Sequence, residues 1–89
     1  MRTIYKFPLY SLIIDNLVSL PEGAEVLTAR FQNGTMHLWV LLDPTSGMNR
    51  NRVFKIFGTG FDIPDSDELK YIATDEIGAL IFHVFEVLQ

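Results

Sequence analysis

The dipeptide Asn33-Gly34 constrains the fold of this 89-residue chain more than any other local feature. A type I′ turn needs positive φ at both central residues, and Asn-Gly adopts that geometry most readily. The β-prone segments on either side, 25–32 and 35–42, are therefore predicted to form a hairpin. The second segment carries apolar residues on both faces, which is typical of a strand in the middle of a sheet.

Turn signals divide the rest of the chain into further strands. Pro21-Glu22-Gly23 turns the chain before the hairpin, and a polar stretch over 43–51 predicts a surface loop after it. Pro8 has no N–H to donate, so the first strand is expected at a sheet edge. The strands expected outside the hairpin are 3–7, two short strands within 9–20, 52–57, 69–74 and 80–87, with a second loop over 62–67. Apolar residues in 9–20 also fit helical spacing, and the Ile13-Ile14 pair with the Asp15-Asn16 turn signal favours the strands.

Residues 66–88 fit two kinds of structure. Apolar residues from Leu69 to Leu88 recur at helical spacing, and the acidic stretch 65–68 would cap such a helix. Gly78 and the dense β-branched and aromatic run 81–87 favour strands. We predict one mainly β domain over residues 1–89, an antiparallel sheet, sandwich or partly open barrel of about six strands. The alternative is an α+β fold with a C-terminal helix.

The charge balance excludes several classes of function. Seven basic residues face eleven acidic ones, for a net charge of −4, and no basic run occurs. Nucleic-acid-binding proteins carry a positive patch that displaces counterions from phosphates, so direct DNA or RNA binding is not expected. The same charge disfavours an anionic membrane surface. No apolar run is long enough to span a bilayer, and we expect no signal peptide, because charged residues and Pro8 interrupt the N-terminal apolar stretch.

The sequence offers little chemistry of catalysis. It contains no cysteine, which excludes disulfides and cysteine nucleophiles and fits a reducing cytosol. His37 and His83 lie on separate predicted strands without the further ligands that zinc requires. The serines lie in turn-like contexts rather than in a nucleophile elbow. We therefore expect a non-enzymatic protein with no catalytic residues, no metal and no cofactor.

A glycine loop suggests one kind of small-molecule site. Gly58, Thr59 and Gly60 end a predicted strand, and their backbone N–H groups would suit a phosphate, with Arg52 and His83 as further ligand-binding residues. A dinucleotide fingerprint needs a third glycine, so a turn that closes the strand is the simpler interpretation. The alternative hypothesis is an oligomer that sequesters a nucleotide-type small molecule.

A protein-binding surface has stronger candidates. Trp39 lies on the less uniform face of its strand, and tryptophan is a common interface anchor. Acidic loops can occupy basic grooves through electrostatic complementarity. The predicted partner-binding residues are Trp39, Asp62, Asp65, Asp67, Glu68, Asp75 and Glu76.

The chain is apolar for its length, with 48% hydrophobic residues. A symmetric dimer would cover apolar surface and free strand edges through one self-complementary patch. We expect a homodimer, with the N-terminal segment and the C-terminal strand 84–88 at its interface.

Seven short motifs follow one another between residues 5 and 86: YKFPL, LPEGA, LW, DP, FGTG, YIAT and HVFE. Their order and spacing resemble a family of small uncharacterised proteins encoded by bacteriophages and prophages. The resemblance implies a phage or prophage origin, the cytoplasm of the bacterial host, and a strand at the C-terminus. It leads to the hypothesis of a non-enzymatic accessory protein that binds a bacterial host or defence protein and inhibits or redirects it.

Overall fold

A computed structural model describes residues 1–88, whose regular elements are seven β-strands in two antiparallel sheets. The strand orders are β1-β4-β3 in sheet A and β2-β5-β7-β6 in sheet B. The strands are β1 (Thr3–Leu9), β2 (Asn16–Pro21), β3 (Glu25–Gln32), β4 (Thr35–Leu42), β5 (Asn49–Gly58), β6 (Leu69–Ile77) and β7 (Leu80–Val87). The predicted mainly β, antiparallel domain is confirmed: it is a two-sheet sandwich, with seven strands rather than about six. The C-terminal region forms β6 and β7 instead of a helix.

The hairpin β3-β4 has the predicted bounds and turn. Asn33 has φ 52° and Gly34 has φ 82°, and Gln32 pairs with Thr35. Strand β4 lies between β1 and β3, as its two apolar faces indicated. Strand β1 is an edge strand, as Pro8 predicted, although it continues through Pro8 to Leu9.

Three predicted boundaries were wrong, because pairing with distant strands overrides local turn signals. The polar residues from Asn49 onward belong to β5, since they pair with β2 as far as Pro21. Strand β6 continues to Ile77, beyond its predicted end at residue 74, since it pairs with β7 up to Leu80. The segment 9–20 contains a loop over 10–15 and the start of β2 rather than two short strands.

The core lies between the two sheets. Sheet A contributes alternate residues of β4, and sheet B contributes alternate residues of β2, β5 and β7. Its most buried side chains are Leu9, Leu20, Met36, Leu38, Val40, Phe54 and Val84. The edge strands β3 and β6 contact each other across one side of the sandwich. There the Phe31 N–H donates to the Asp75 carboxylate over 2.8 Å, which occupies a backbone donor of β3.

An ion pair closes one end of the core. The Arg52 guanidinium donates Nε–H to Glu86 Oε2 over 2.6 Å and Nη2–H to Oε1 over 2.7 Å. Its Nη1 donates to the Ala24 carbonyl over 2.7 Å. The side chains of Arg52 and Glu86 are 15% and 9% exposed, so the pair is largely withdrawn from water. The hydrogen bond to Glu86 raises the pKa of Arg52 above its ordinary value.

We predict that Arg52→Ala lowers the free energy of unfolding by about 3 kcal/mol, because it leaves the Glu86 carboxylate buried without its partner. The double variant Arg52→Met/Glu86→Leu should lose much less, since no unpaired charge remains. Urea unfolding of both variants measures the difference. An equal decrease in the free energy of unfolding of both variants would show that the unpaired Glu86 charge does not determine the stability of this end of the core.

Candidate partner-binding surface

A hydrogen-bond network holds the loop of residues 10–15, called the apolar loop below. The Ser11 hydroxyl oxygen accepts the backbone N–H groups of Ile13 and Ile14 over 3.1 and 2.8 Å. The Asn16 Oδ1 accepts the Ser11 N–H over 3.0 Å, and its Nδ2 donates to the Ser11 carbonyl over 2.9 Å. A longer contact of 3.5 Å joins Nδ2 to the Phe54 carbonyl. Because Asn16 is buried, these bonds define the path of the loop.

The network directs apolar side chains into solvent. Ile13 is 94% exposed and Ile14 is 70% exposed, and Leu12 is 39% exposed. Single exposed apolar residues are ordinary on protein surfaces, but consecutive ones on a hydrogen-bonded loop form a patch. Such a patch is typical of an interaction site.

A groove lies beside the apolar loop. It separates that loop from the connection between β5 and β6, residues 59–68, called the crossover loop below. The groove has a volume of about 350 Å³. The Phe61 ring packs against Gly58, where an added Cβ would lie 3.0 Å from the ring. The residues lining the groove are Leu12, Ile13, Ile14, Asp15, Lys55, Ile56, Phe57, Phe61, Asp62 and Pro64.

Lys55 ties the two loops together. Its Nζ lies 2.9 Å from Asp67 Oδ2 and 3.7 Å from Asp15 Oδ1. The hydrogen bond to Asp67, with a smaller contribution from Asp15, raises the pKa of Lys55 above its ordinary value. Lys55 is thus paired with carboxylates, and the Asp62 carboxylate is a further acidic group on the groove wall.

The structure separates the predicted partner-binding residues. Trp39 lies on the outer face of sheet A, with the Arg30 guanidinium 5.3 Å from its ring centroid. The acidic loop residues lie on the side of sheet B, so Trp39 and the acidic loop do not form one patch. Asp62, Asp65, Glu68 and Glu76 are exposed, whereas Asp67 binds Lys55 and Asp75 binds the Phe31 N–H.

The residues of the small-molecule hypothesis do not converge. Arg52 is bound to Glu86 and lies six residues along β5 from Gly58, a distance of about 20 Å. The Thr59 N–H donates to the Ile81 carbonyl, and the Phe61 N–H donates to the Gly58 carbonyl. A phosphate-binding nest needs such N–H groups free.

His83 is also engaged within the protein. Its Nε2 lies 2.8 Å from Thr59 Oγ1, and its Nδ1 lies 2.9 Å from Thr74 Oγ1. Both ring nitrogens therefore have partners on the outer face of sheet B. No group of three or more histidine or carboxylate side chains is placed to hold a metal ion in residues 1–88. The same residues contain no helix that could span a bilayer.

Sequence reasoning did not identify the groove. It assigned the apolar stretch 9–14 to self-association and read the region as strands. Phe61 and Pro64 follow the glycine turn and were not singled out. The available signal was Ser11 and Asn16 bracketing three apolar residues, because short polar side chains often bond nearby backbone groups in loops.

The chain belongs to the family described as Domain of unknown function (DUF7352), whose model matches residues 1–89. Comparisons with curated proteins and with solved structures gave no match. The family description names no activity, so the function has to be argued from the surface itself.

We predict that Ser11→Ala makes the amides of Ile13 and Ile14 exchange faster with solvent, because their acceptor is removed. The global stability should fall by only about 1 kcal/mol. Amide hydrogen exchange followed by NMR measures both effects. Ser19→Ala is the control, since Ser19 is exposed on β2 and its hydroxyl makes no hydrogen bond within the described residues. Unchanged exchange at Ile13 and Ile14 would contradict the assigned role of Ser11.

Proposed function

We propose that this chain is a non-enzymatic, phage-type accessory protein that binds a bacterial host or defence protein and inhibits or redirects it. The observation that carries the proposal is the apolar loop, where the backbone N–H groups of Ile13 and Ile14 donate to the Ser11 hydroxyl oxygen and their side chains are exposed to solvent. The binding surface consists of this loop, the adjoining groove and the exposed part of the crossover loop.

The shape of this surface favours a macromolecular partner. Small-molecule sites bury most of the ligand inside a concave pocket. Ile13, Ile14 and Phe61 line the groove, yet their side chains are 94%, 70% and 62% exposed. A partner that covers all three side chains at once must extend over both loops, which suits a protein surface.

The charges around the patch favour a protein over a lipid surface. Asp15 and Asp62 line the groove, and Asp65 and Glu68 are exposed on the same crossover loop as Phe61. Anionic lipids attract basic rather than acidic segments. A protein with basic residues around an apolar spot would complement this surface, and such complementarity accelerates association and sets its salt dependence.

The biological setting of the proposal comes from the sequence resemblance to phage and prophage proteins. An acidic protein in a bacterial cytoplasm can block a basic surface of a host protein, including one that normally contacts nucleic acid. The negative net charge of the chain suits that role. Inhibition or redirection would then follow from occupancy of the host surface, with no catalytic step.

Sheet A offers a second surface for self-association. Ile4 and Tyr5 are 52% and 48% exposed on opposite faces of the edge strand β1, and Ile4 lies beside Trp39. Strand β7 pairs with both β5 and β6, so the segment 84–88 has no free edge to contribute. A homodimer would therefore pair through β1 and the Trp39 face.

We predict that light scattering gives twice the 10.2 kDa mass of the chain. Tyr5→Lys should return the mass to that of one chain, because it places a charge at the half-exposed edge. Leu80→Lys, at the exposed start of β7, is the matched control and should remain dimeric. A single-chain mass that persists at high protein concentration would contradict the dimer.

We predict that Ile13→Asp abolishes capture of the host protein from bacterial lysate, because a charge replaces the most exposed apolar side chain of the patch. The stability of the variant should not change, since Ile13 is 94% exposed. Met48→Asp is the control: Met48 is 72% exposed in the loop before β5 and should leave capture intact.

Capture is measured at low and moderate salt. Recovery of no common partner by the wild type and Met48→Asp would contradict the proposed function, as would equal recovery by Ile13→Asp. Binding to anionic vesicles that requires Ile13 would identify a membrane instead of a protein.

A further inference from the structure

We infer that the groove binds an extended peptide segment of the partner, which adds as a strand to the free edge of β5 and carries basic residues beside an apolar centre. This inference rests on the proposed function and specifies how the partner is recognised. It follows from where β2 stops, which way the β5 backbone points, and which charges line the groove.

Strand β5 is longer than its neighbour β2. The pairing of the two runs from Pro21 opposite Asn49 to Asn16 opposite Phe54. Beyond Phe54, β5 continues to Gly58 and pairs only with β7. The apolar loop turns away at this point, so residues 55–58 of β5 have one edge without a strand. The groove lies along this edge.

The backbone of Ile56 faces the groove. In a strand the N–H and C=O groups of successive residues point to alternate sides. The Phe54 carbonyl points towards Asn16, and the Gly58 carbonyl accepts the Phe61 N–H on the same side. Ile56, midway between them, therefore presents its N–H and C=O to the groove.

Neither polar group of Ile56 has a backbone partner on that side within residues 1–88. The Ile56 side chain belongs to the core, and the residue also lines the groove. The unpaired N–H and C=O groups of a strand edge are a template for pairing with another chain. One residue of an added antiparallel strand would exchange two hydrogen bonds with Ile56, which is how β-strand addition recognises extended peptides.

The groove walls suit an apolar segment of limited length. Leu12 and Ile14 form one wall, and Phe61 and Pro64 form the other. The volume of about 350 Å³ lies at the low end of the range for ligand sites, so it accommodates a few side chains. The alternating side chains of a strand would contact the two walls in turn.

The charged side chains of the groove favour particular residues on either side of the apolar centre of the peptide. Asp15 and Asp62 belong to opposite walls of the groove. Lys55 also lines the groove, but its Nζ is bound to Asp67 over 2.9 Å and lies 3.7 Å from Asp15. Lys or Arg residues beside the apolar centre would therefore pair with Asp62 and add to the pairing of Asp15, whereas acidic flanks would be repelled. A second copy of this chain carries a net charge of −4, so it is less complementary than a basic partner segment.

The experiment screens a display library of random dodecapeptides for binding to the full chain. We expect enriched peptides with alternating apolar residues between Lys or Arg residues. Synthetic versions should slow amide exchange at Ile56. N-methylation of alternate peptide residues should weaken binding at least about tenfold in one register and little in the other, because only one register faces β5. Ile14→Asp should weaken the same peptides, and Met48→Asp should not.

The outcomes separate this inference from the proposed function. Peptides that require Ile13 and Ile14 but neither protect Ile56 nor respond to N-methylation would overturn strand addition and leave protein binding standing. Enriched peptides with acidic flanks would overturn the charge assignment. Failure to enrich any peptide, combined with self-association that Ile14→Asp abolishes, would overturn the inference and make a second copy the occupant. Failure of the wild-type protein to capture a partner from lysate, measured separately, would contradict the proposed function itself.

Discussion

The buried amide of Asn16 decides where sheet B stops pairing, and the candidate site depends on that decision. Its side chain bonds both backbone groups of Ser11 and reaches the Phe54 carbonyl. The loop that this amide anchors leaves the sheet before the next pair of ladder hydrogen bonds between β2 and β5 could form. Since the chain turns away at Asn16, β5 is left with a free edge, and the apolar side chains of the loop cannot pack against the sheet.

The strand edges on the two sides of the sandwich differ in whether their backbone groups have hydrogen-bond partners. On one side β3 contacts β6, and the Asp75 carboxylate accepts a hydrogen bond from the Phe31 N–H. A charged side chain at an edge is a common protection against unwanted strand pairing. On the side of the groove, apolar residues and the Ile56 backbone groups remain available. This asymmetry supports the view that the groove edge is kept open for a partner.

The carboxylates of the chain fall into two groups, which composition alone does not separate. Glu86, Asp67 and Asp75 are engaged within the fold by Arg52, Lys55 and a backbone amide. The crossover loop retains exposed carboxylates beside Phe61, and further exposed carboxylates lie at Glu22, Glu25 and Glu76. Of the exposed carboxylates, those of the crossover loop and Asp15 lie near the groove.

Local chemistry was enough to predict the elements whose cause is local. The Asn33-Gly34 turn specifies its own hairpin, Pro8 marks an edge strand, and the two apolar faces of β4 indicate a central strand. The helical and strand patterns overlap in residues 66–88, and only the position of β7 between β5 and β6 selected strands there. The candidate site was out of reach for the same reason. Asn16 and Phe54 are 38 residues apart, and Phe31 and Asp75 are 44 apart. No short window of sequence reports such pairings, because the free edge of β5 exists only once the distant strands have assembled.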